Sequence, residues 1–485
     1  MKKQRRNLYK KAHFYTWLNY SSHFIPLLVL PLLQNLLFNP TSIAAIITNY
    51  GLSIICVIML FTAITMEYKS ILYMEKENSV YAKKGVFFKK RADIPYDCIQ
   101  SVYIQKNFVP RLMGGARRYI INTPGNYTAN GDYAIFLRKR NAVALTESIF
   151  EKNENEIKYH GGFLKIILMA ATWSNALTGL LILAPLLYNT SNILSVYLRE
   201  YFLKSMDLVN YIVKIGVPPA FSGLAAILIV CWGIAYFAQL IRYSFFKAEI
   251  SGSVINIKRG FLNRSEFITT KEKINAIQIR QSILMLVLNL KSVFIQTIGG
   301  GVQKGDKSLL IPAEREEKIN QILGEITTLP KKENYKIKPK KTEFMAYLWF
   351  PFYSILGTIG TMAVLEYFGY FGEIVRIPLI VTLLIFIYWL FFRMYSYSKS
   401  SITICDRAVR IDYFDKLNIT RTYIPYDRIQ YVKVYQSPWQ RLYKTAHIKI
   451  YIYSNKTKHY KIKYLKYNKV MEAVDIIETR MKYRS

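Results

Sequence analysis

The chain has 485 residues and combines 52% hydrophobic residues with a formal net charge of +35, from 66 Lys+Arg against 31 Asp+Glu. That length suits about three or four domains, and the two excesses seldom share one soluble domain, so they must be segregated along the chain. The cysteines, Cys56, Cys98, Cys231 and Cys405, show no metal or redox spacing and imply no oxidising compartment.

In chain order, a basic arm (1–19) carries Lys2, Lys3, Arg5, Arg6, Lys10 and Lys11. Apolar runs follow at Tyr20–Phe38, Ile43–Met66, Phe163–Tyr188, Ile215–Ile241, Phe344–Tyr370 and Ile377–Met394, most of them near the roughly 20 residues that cross a bilayer as helix. The expected fold is therefore a multi-domain membrane protein with six transmembrane helices in three hairpins, at 20–66, 161–241 and 344–394. These alternate with three strand-rich domains at 67–160, 242–330 and 395–485, and a basic linker spans 331–343. The basic start followed by an apolar run also fits a secretory signal, but a second run follows at once and makes a hairpin the simpler account. An even number of crossings precedes each domain, which places all three on one side. The charge of the arm and of Lys331, Lys332, Lys336, Lys338, Lys340 and Lys341 makes that side cytoplasmic under the positive-inside rule.

One stretch is written twice. IPYDCIQSVYIQKNFVPRL at 94–112 aligns without a gap on IPYDRIQYVKVYQSPWQRL at 424–442. A weaker third copy runs from Ile274 to Leu288, with Ile277 on Val432 and Gln281-Ser282 on Gln436-Ser437. Ile448, Ile450 and Ile452 alternate with Lys449, Tyr451 and Tyr453, the pattern of a half-buried strand. Val470, Val474, Ile477 and Met481, and likewise Ile319, Ile322, Leu323 and Ile326, recur at helical spacing. Each domain thus reads as short strands closed by a C-terminal helix.

These residues carry a resemblance. The repeat motif, Ile94, Pro95, Tyr96, Asp97, Gln100 and Arg111 in the first copy and Ile424, Pro425, Tyr426, Asp427, Gln430, Gln436, Gln440 and Arg441 in the third, resembles bacterial pleckstrin-homology-like (PH-like) domains of the YdbS type. Three such domains alternating with helical hairpins resemble the YdbT-like membrane proteins. The resemblance implies PH-like barrels, each with a C-terminal helix, in a plasma-membrane protein working beside a smaller membrane protein that bears the same kind of domain. The second copy departs most, with Leu286 where the arginine would stand.

Catalytic chemistry finds no purchase. GGGVQKGDKS at 299–308 departs from a phosphate loop because Asp306 separates Gly305 from Lys307, and it reads as a hairpin turn. His13, His23, His160, His447 and His459 show neither metal spacing nor a paired carboxylate. The expectation is a non-enzymatic scaffold without cofactor or metal, the alternative being transport or lipid handling through the helix bundle. Lys83, Lys84, Lys89, Lys90 and Arg91 form the candidate cluster for anionic head groups, with topogenic charge as the plainer reading. Expected partners are the membrane, anionic phospholipid, and a second PH-like membrane protein or another copy of the chain. Nucleic acid is not expected.

Overall fold

The computed structural model describes residues 9–22, 43–86, 88–124, 133–150, 156–174, 219–297, 307–326, 330, 333–369, 372–415, 417–453 and 458–482. The chain forms two compact units, one holding residues up to Tyr159 with Lys247–Lys273, the other His160–Phe246, Ile274–Thr297 and Lys307–Ser485.

In the first unit, β1 (Lys10–Lys11), β2 (Leu72–Glu75), β3 (Ser79–Lys84) and β4 (Lys90–Pro95) form an antiparallel sheet in that order, with helices α1 (Tyr15–Ser22) and α2 (Ile43–Ser70) lying between β1 and β2 in sequence. The chain continues through β5 (Ser101–Lys106), α3 (Phe108–Leu112), β6 (Arg117–Asn122), β7 (Tyr133–Leu137), α4 (Lys139–Ile149) and β8 (Glu156–His160). With β9 (Lys247–Ser251), β10 (Val254–Arg259) and β11 (Arg264–Thr270), a second sheet assembles in the order β7-β6-β5-β11-β10-β9-β8. Alternate residues of the strands point inward. Tyr73, Val80 and Ile94 of the small sheet therefore share a core with Val102, Tyr119, Ile121 and Leu137 of the large one, beneath Ala142 and Leu145 of α4.

The second unit begins with α5 (Phe163–Trp173) and α6 (Pro219–Tyr243) and then β12 (Ala276–Ser282), α7 (Ile283–Val287), β13 (Lys291–Gln296), β14 (Lys307–Glu314) and α8 (Glu316–Ile326). After β15 (Glu333–Ile337) come the long helices α9 (Phe344–Tyr367) and α10 (Glu373–Lys399), then β16 (Ser401–Cys405), β17 (Ala408–Asp415) and β18 (Asn418–Pro425). It closes with β19 (Ile429–Tyr435), α11 (Pro438–Leu442), β20 (Thr445–Ile452), β21 (Lys458–Lys466) and α12 (Tyr467–Lys482). Its sheets run β14-β13-β12-β18-β17-β16-β15 and β19-β20-β21. α8 buries Ile319, Ile322, Leu323 and Ile326, and α12 buries Val470, Ala473, Val474 and Ile477.

Two features explain how the sequence copies become these units. The middle copy is divided: its first strands, β9 to β11, complete the sheet of the first unit through β5–β11 pairing, and its last, β12 to β14, complete the second unit through β12–β18. Each helical pair is also inserted in sequence between two strands that neighbour one another in a sheet: β1 and β2, β8 and β9, β15 and β16. The ladder pairs Lys10 with Tyr73 and Lys336 with Thr403 across the first and last insertions. The stretches 1–19 and 331–343, read as a basic arm and a linker, thus contribute β1 and β15.

The six-span expectation is corrected. Among the described residues two helices are long and apolar enough to cross a membrane, Lys341–Tyr367 and Pro378–Lys399. Most of Tyr20–Phe38 and the later part of Phe163–Tyr188 lie outside the described residues. The described start of the latter is the 11-residue helix α5, in which Ile166, Met169 and Ala170 are buried, Trp173 stacks on Phe294 of β13 with ring centroids 4.7 Å apart, and Lys165 pairs with Glu314 of β14. Cys231 and Ala235 of α6 are buried as well. Apolar composition cannot by itself separate a helix that covers a sheet from one that faces lipid, and at α5 the run covers a sheet.

Candidate functional site at the helix roots

The repeat motif builds a corner. Pro95 and Pro425 end β4 and β18 and lead into single 3-10 turns, Tyr96–Cys98 and Tyr426–Arg428; the middle copy makes the same turn at Lys271–Lys273. Ile94, Ile424, Ile99 and Ile429 are buried. Tyr426 donates to Cys405 O at 2.7 Å beneath the Arg480 guanidinium, and Tyr96 donates to Lys76 O at 3.1 Å. Asp427 pairs with Arg428 at 3.1 Å, and the carbonyl of Asp97 accepts from Lys273 at 2.9 Å. The backbone carbonyl of Gln100 accepts from Thr269 at 2.9 Å, whereas Gln430 is exposed.

The glutamines of the third copy serve the same end. Gln436 donates to Thr445 O at 2.9 Å, as Gln281 of the middle copy does to Leu290 O at 3.2 Å. Gln440 completes a capping box with Ser437, its Oε1 accepting from Ser437 N–H at 2.9 Å, which nucleates α11. Its amide also lies 3.1 Å from the His447 ring, and Tyr464 N–H donates to His447 Nδ1 at 3.0 Å. Burial, with the Lys461 and Lys463 charges nearby, pushes His447 down to about 4. It is a neutral packing group.

What the corner presents outward is apolar. In each copy a five-residue helix follows: α3, α7 and α11. Phe108, Val109 and Leu112 are exposed on α3; Ile283, Leu284 and Val287, the last 81% exposed, on α7; Trp439 and Leu442, both 73% exposed, on α11. Arg111 and Arg441 stand exposed among them. Each short helix lies at the root of a longer one. Just past α3, a Cβ at Gly114 would stand 3.2 Å from His13 Nε2, two residues before α1. α7 packs on α5, whose Phe163 and Leu164 are exposed. Tyr443 O, next to α11, accepts from Lys340 Nζ at 3.0 Å just ahead of α9.

The basic cluster also gathers at a helix root. The β3–β4 ladder sets Lys83 opposite Arg91 and Lys84 opposite Lys90, like charges whose opposition is unfavourable unless something relieves it. Lys84 is relieved by the Tyr20 hydroxyl at 2.7 Å and by Glu67 of α2 at 4.0 Å; Lys89, Lys90 and Arg91 stay exposed. The turn needs Gly85, at φ 101°, because a Cβ there would lie 2.2 Å from Phe88 O. Gly260, at φ 104°, has the same constraint in the β10–β11 turn. Phe88, at the first tip, is 87% exposed.

Inside the first unit a cavity of about 260 Å³ beside α4 holds a different kind of cluster, Lys106, Glu249, Asn256, Lys258 and Glu266. Glu266 accepts from Lys106 at 2.6 Å and from Asn256 at 3.0 Å, and Lys258 meets Glu249 at 2.6 Å. Burial alone would raise Glu266, but Lys106 outweighs it and holds the carboxyl below its usual range; burial pulls Lys106 itself down. Each acid here has a base, so the cluster is self-neutralising. The stretch 299–306 lies outside the described residues, and among those described no group of His, Cys, Asp and Glu could hold a metal.

The family model of the bacterial PH domain matches residues 26–158, 165–327 and 355–481. The chain belongs to the bacterial PH domain family, in three repeats. No curated protein matches it. Domains of this kind suggest a role in protein–protein or lipid interaction.

Proposed function

We propose that the chain is a non-enzymatic scaffold, YdbT-like in plan, rooted in the plasma membrane by the α9–α10 hairpin, with its PH domains presenting interaction surfaces on the cytoplasmic side. The observation that carries this reading is the outward-facing hairpin. Only 11% and 0% of the most apolar stretches of its two helices are buried, whereas a core helix of a soluble protein is mostly covered. At about 1.5 Å per residue, the 24 residues of α9 and 27 of α10 reach beyond the roughly 30 Å of a hydrocarbon core. Trp349, five residues into α9, supplies an exposed aromatic anchor towards the sheet end. Lys340, Lys341 and Lys399 gather at that same end, which favours the cytoplasmic side for it under the positive-inside rule.

Repetition then supplies multivalency towards a PH-bearing membrane protein or a second copy, and linked sites raise avidity by roughly 10² to 10⁴ where geometry allows. The basic β3–β4 hairpin adds attraction to anionic lipid, about 1 kcal/mol per charge near the surface. In the test, membranes from cells expressing the full chain are washed at high pH and high salt. The chain stays in the pellet if the hairpin spans the bilayer. Its release to the supernatant would overturn the membrane-rooted reading.

A further inference from the structure

At the root of the α9–α10 hairpin lies a second, open cleft, of about 530 Å³, between the sheet-end turns of the helices and the edge of the third PH repeat. Trp389, Arg393 and Ser396 line one wall, and Asp415, Lys461 and Lys463 the other. Three cations thus share one cleft with a single carboxylate. Among the described residues none of the three forms an ion pair, unlike Lys106 and Lys258 of the first unit's cavity, each matched to an acid. The Arg393 guanidinium lies over the Trp389 ring at 5.5 Å, and Tyr347 donates to Lys463 O at 3.2 Å, fixing β21 against α9. The walls are therefore positioned by contacts that leave these cations without an acidic partner. Burial lowers Lys463, and the neighbouring charges of Arg393 and Lys461 lower it further; Lys461 is lowered by burial and then by Lys449. Like charges held together in a partly desolvated cleft are costly, and an anion between them relieves the cost.

We propose that this cleft binds a phosphate-bearing anion, with Arg393, Lys461 and Lys463 as its ligands. The guanidinium offers a planar fork suited to two phosphate oxygens, and the two ammonium groups act as mobile point charges on the others. Arg393 lies six residues before the end of α10, about 9 Å along the helix axis, which is the depth of a lipid head group on a hairpin rooted as proposed above. The membrane head group is thus the expected source, and on this point the inference rests on the membrane-rooted reading. Free phosphate shares the chemistry and is the other source.

The experiment uses the full chain in mild detergent, with native mass spectrometry and thermal unfolding as readouts and phosphatidylglycerol, phosphatidylcholine, glycerol 3-phosphate and inorganic phosphate as probes. Phosphatidylglycerol should bind at least tenfold tighter than phosphatidylcholine and raise the unfolding temperature. R393Q/K461Q/K463Q should abolish that preference, while K461R/K463R, which keeps the charge, retains it. K89Q/K90Q/R91Q at the first hairpin should leave the tight component in place. Glycerol 3-phosphate or inorganic phosphate binding as tightly as the lipid, with the same dependence on the three cations, assigns the site to a free anion. That result is independent of whether the chain resists membrane washing. Equal binding of every probe by the wild type and the triple glutamine variant, both unfolding at the same temperature without probe, would overturn the site.

Discussion

The two seven-stranded sheets cross from one repeat to the next by the same antiparallel edge pairing, yet they seal the crossing with different chemistry. At β5–β11 the seal is ionic: Lys106 faces Glu266 across the junction, with Asn256 and Lys258 behind it. Beside β12–β18 the buried contacts from the middle copy to β21 and the end of β20 are neutral amides and a phenol, with the Arg421–Glu316 pair exposed at 3.8 Å: Gln278 donates to the Tyr460 hydroxyl at 2.6 Å, which donates to Gln296 Oε1 at 2.9 Å, and Asn275 donates to Tyr453 O at 2.7 Å. Gln278, Gln296 and Tyr460 are all buried. One architecture can thus be closed by charge or by amide, and the choice decides which junction responds to removal of a partner and to pH.

The largest effect is expected where the charge is. Lys106→Met leaves Glu266 buried beside Asn256 without its main partner. Breaking a buried pair from one side costs about 3–5 kcal/mol; with the pair partly exposed and Lys258 still 4.0 Å from Glu266, the loss lies at the lower end of that range, read as an early-melting first unit in calorimetry. K106M/E266M should recover much of the loss, because the orphaned charge rather than the missing pair is the cost. If the double variant is no better than the single, the pair is not the seal. Tyr460→Phe tests the neutral junction. It removes the hydroxyl shared by Gln278 and Gln296, at about 1–3 kcal/mol for buried groups left unmatched. The loss should be seen in the second unit and be the same at pH 6 and pH 8, since amides do not titrate. A loss confined to one pH would contradict the amide seal.

The pH dependence separates the units again. Glu266 has a folded pKa below its unfolded value near 4.5, so its contribution is present above about 4.5 and fades as pH falls through the folded value. His447 titrates near 4 when folded and near 6.5 when not. The unfolded state takes up the proton first, and the second unit should lose stability as pH falls from 6.5 towards 4. Half-burial leaves that loss screened and smaller than the two preceding ones. His447→Gln keeps an acceptor for Tyr464 N–H and should flatten the second unit's slope between pH 6.5 and 4 without altering the first unit's. An unchanged slope would remove His447 as its origin.

The sequence made the repeat legible because Ile-Pro-Tyr-Asp encodes a strand end and a 3-10 turn locally, and the α8 and α12 faces were legible because Ile319 to Ile326 and Val470 to Ile477 are spaced for a helix. The junctions were not. Alternation reports that a strand buries one face, but not which edge it offers or to which copy, so β5–β11 and β12–β18 left no local signal. β1 and β15 were hidden for a related reason: each is separated from its partner strand by a helical pair, and their lysines read as topogenic charge. The root cleft draws Arg393 from α10 and Lys461 and Lys463 from β21, about 70 residues apart, whereas the motif glutamines that stood out in sequence are bound up in the turns. A cluster such as Lys83 to Arg91 is visible because it is contiguous; one assembled across an insertion is not.

The smallest effect on stability, and the clearest separation of folding from membrane contact, is expected at the short helices. Trp439 and Leu442 point away from the core of the second unit, and Phe108 and Leu112 do the same on α3 of the first. Exposed side chains that touch little else contribute within about 0.5 kcal/mol to folding. Lying at helix roots beside Arg441 and Arg111, they have the composition of groups that seat in the head-group boundary. W439A/L442A should therefore leave the unfolding temperature of the full chain nearly unchanged. In nanodiscs it should lower the access of a lipid-soluble quencher to labels placed near α11, and F108A/L112A should do so near α3. Arg441 sets the contrast within the same helix. R441Q should weaken the preference for anionic over zwitterionic bilayers without changing quencher depth, because a charge steers towards the surface whereas an apolar ring enters it. Equal quenching in the wild type and W439A/L442A would mean that α11 faces water or a protein partner, and would leave the α9–α10 hairpin to hold the second unit at the bilayer alone.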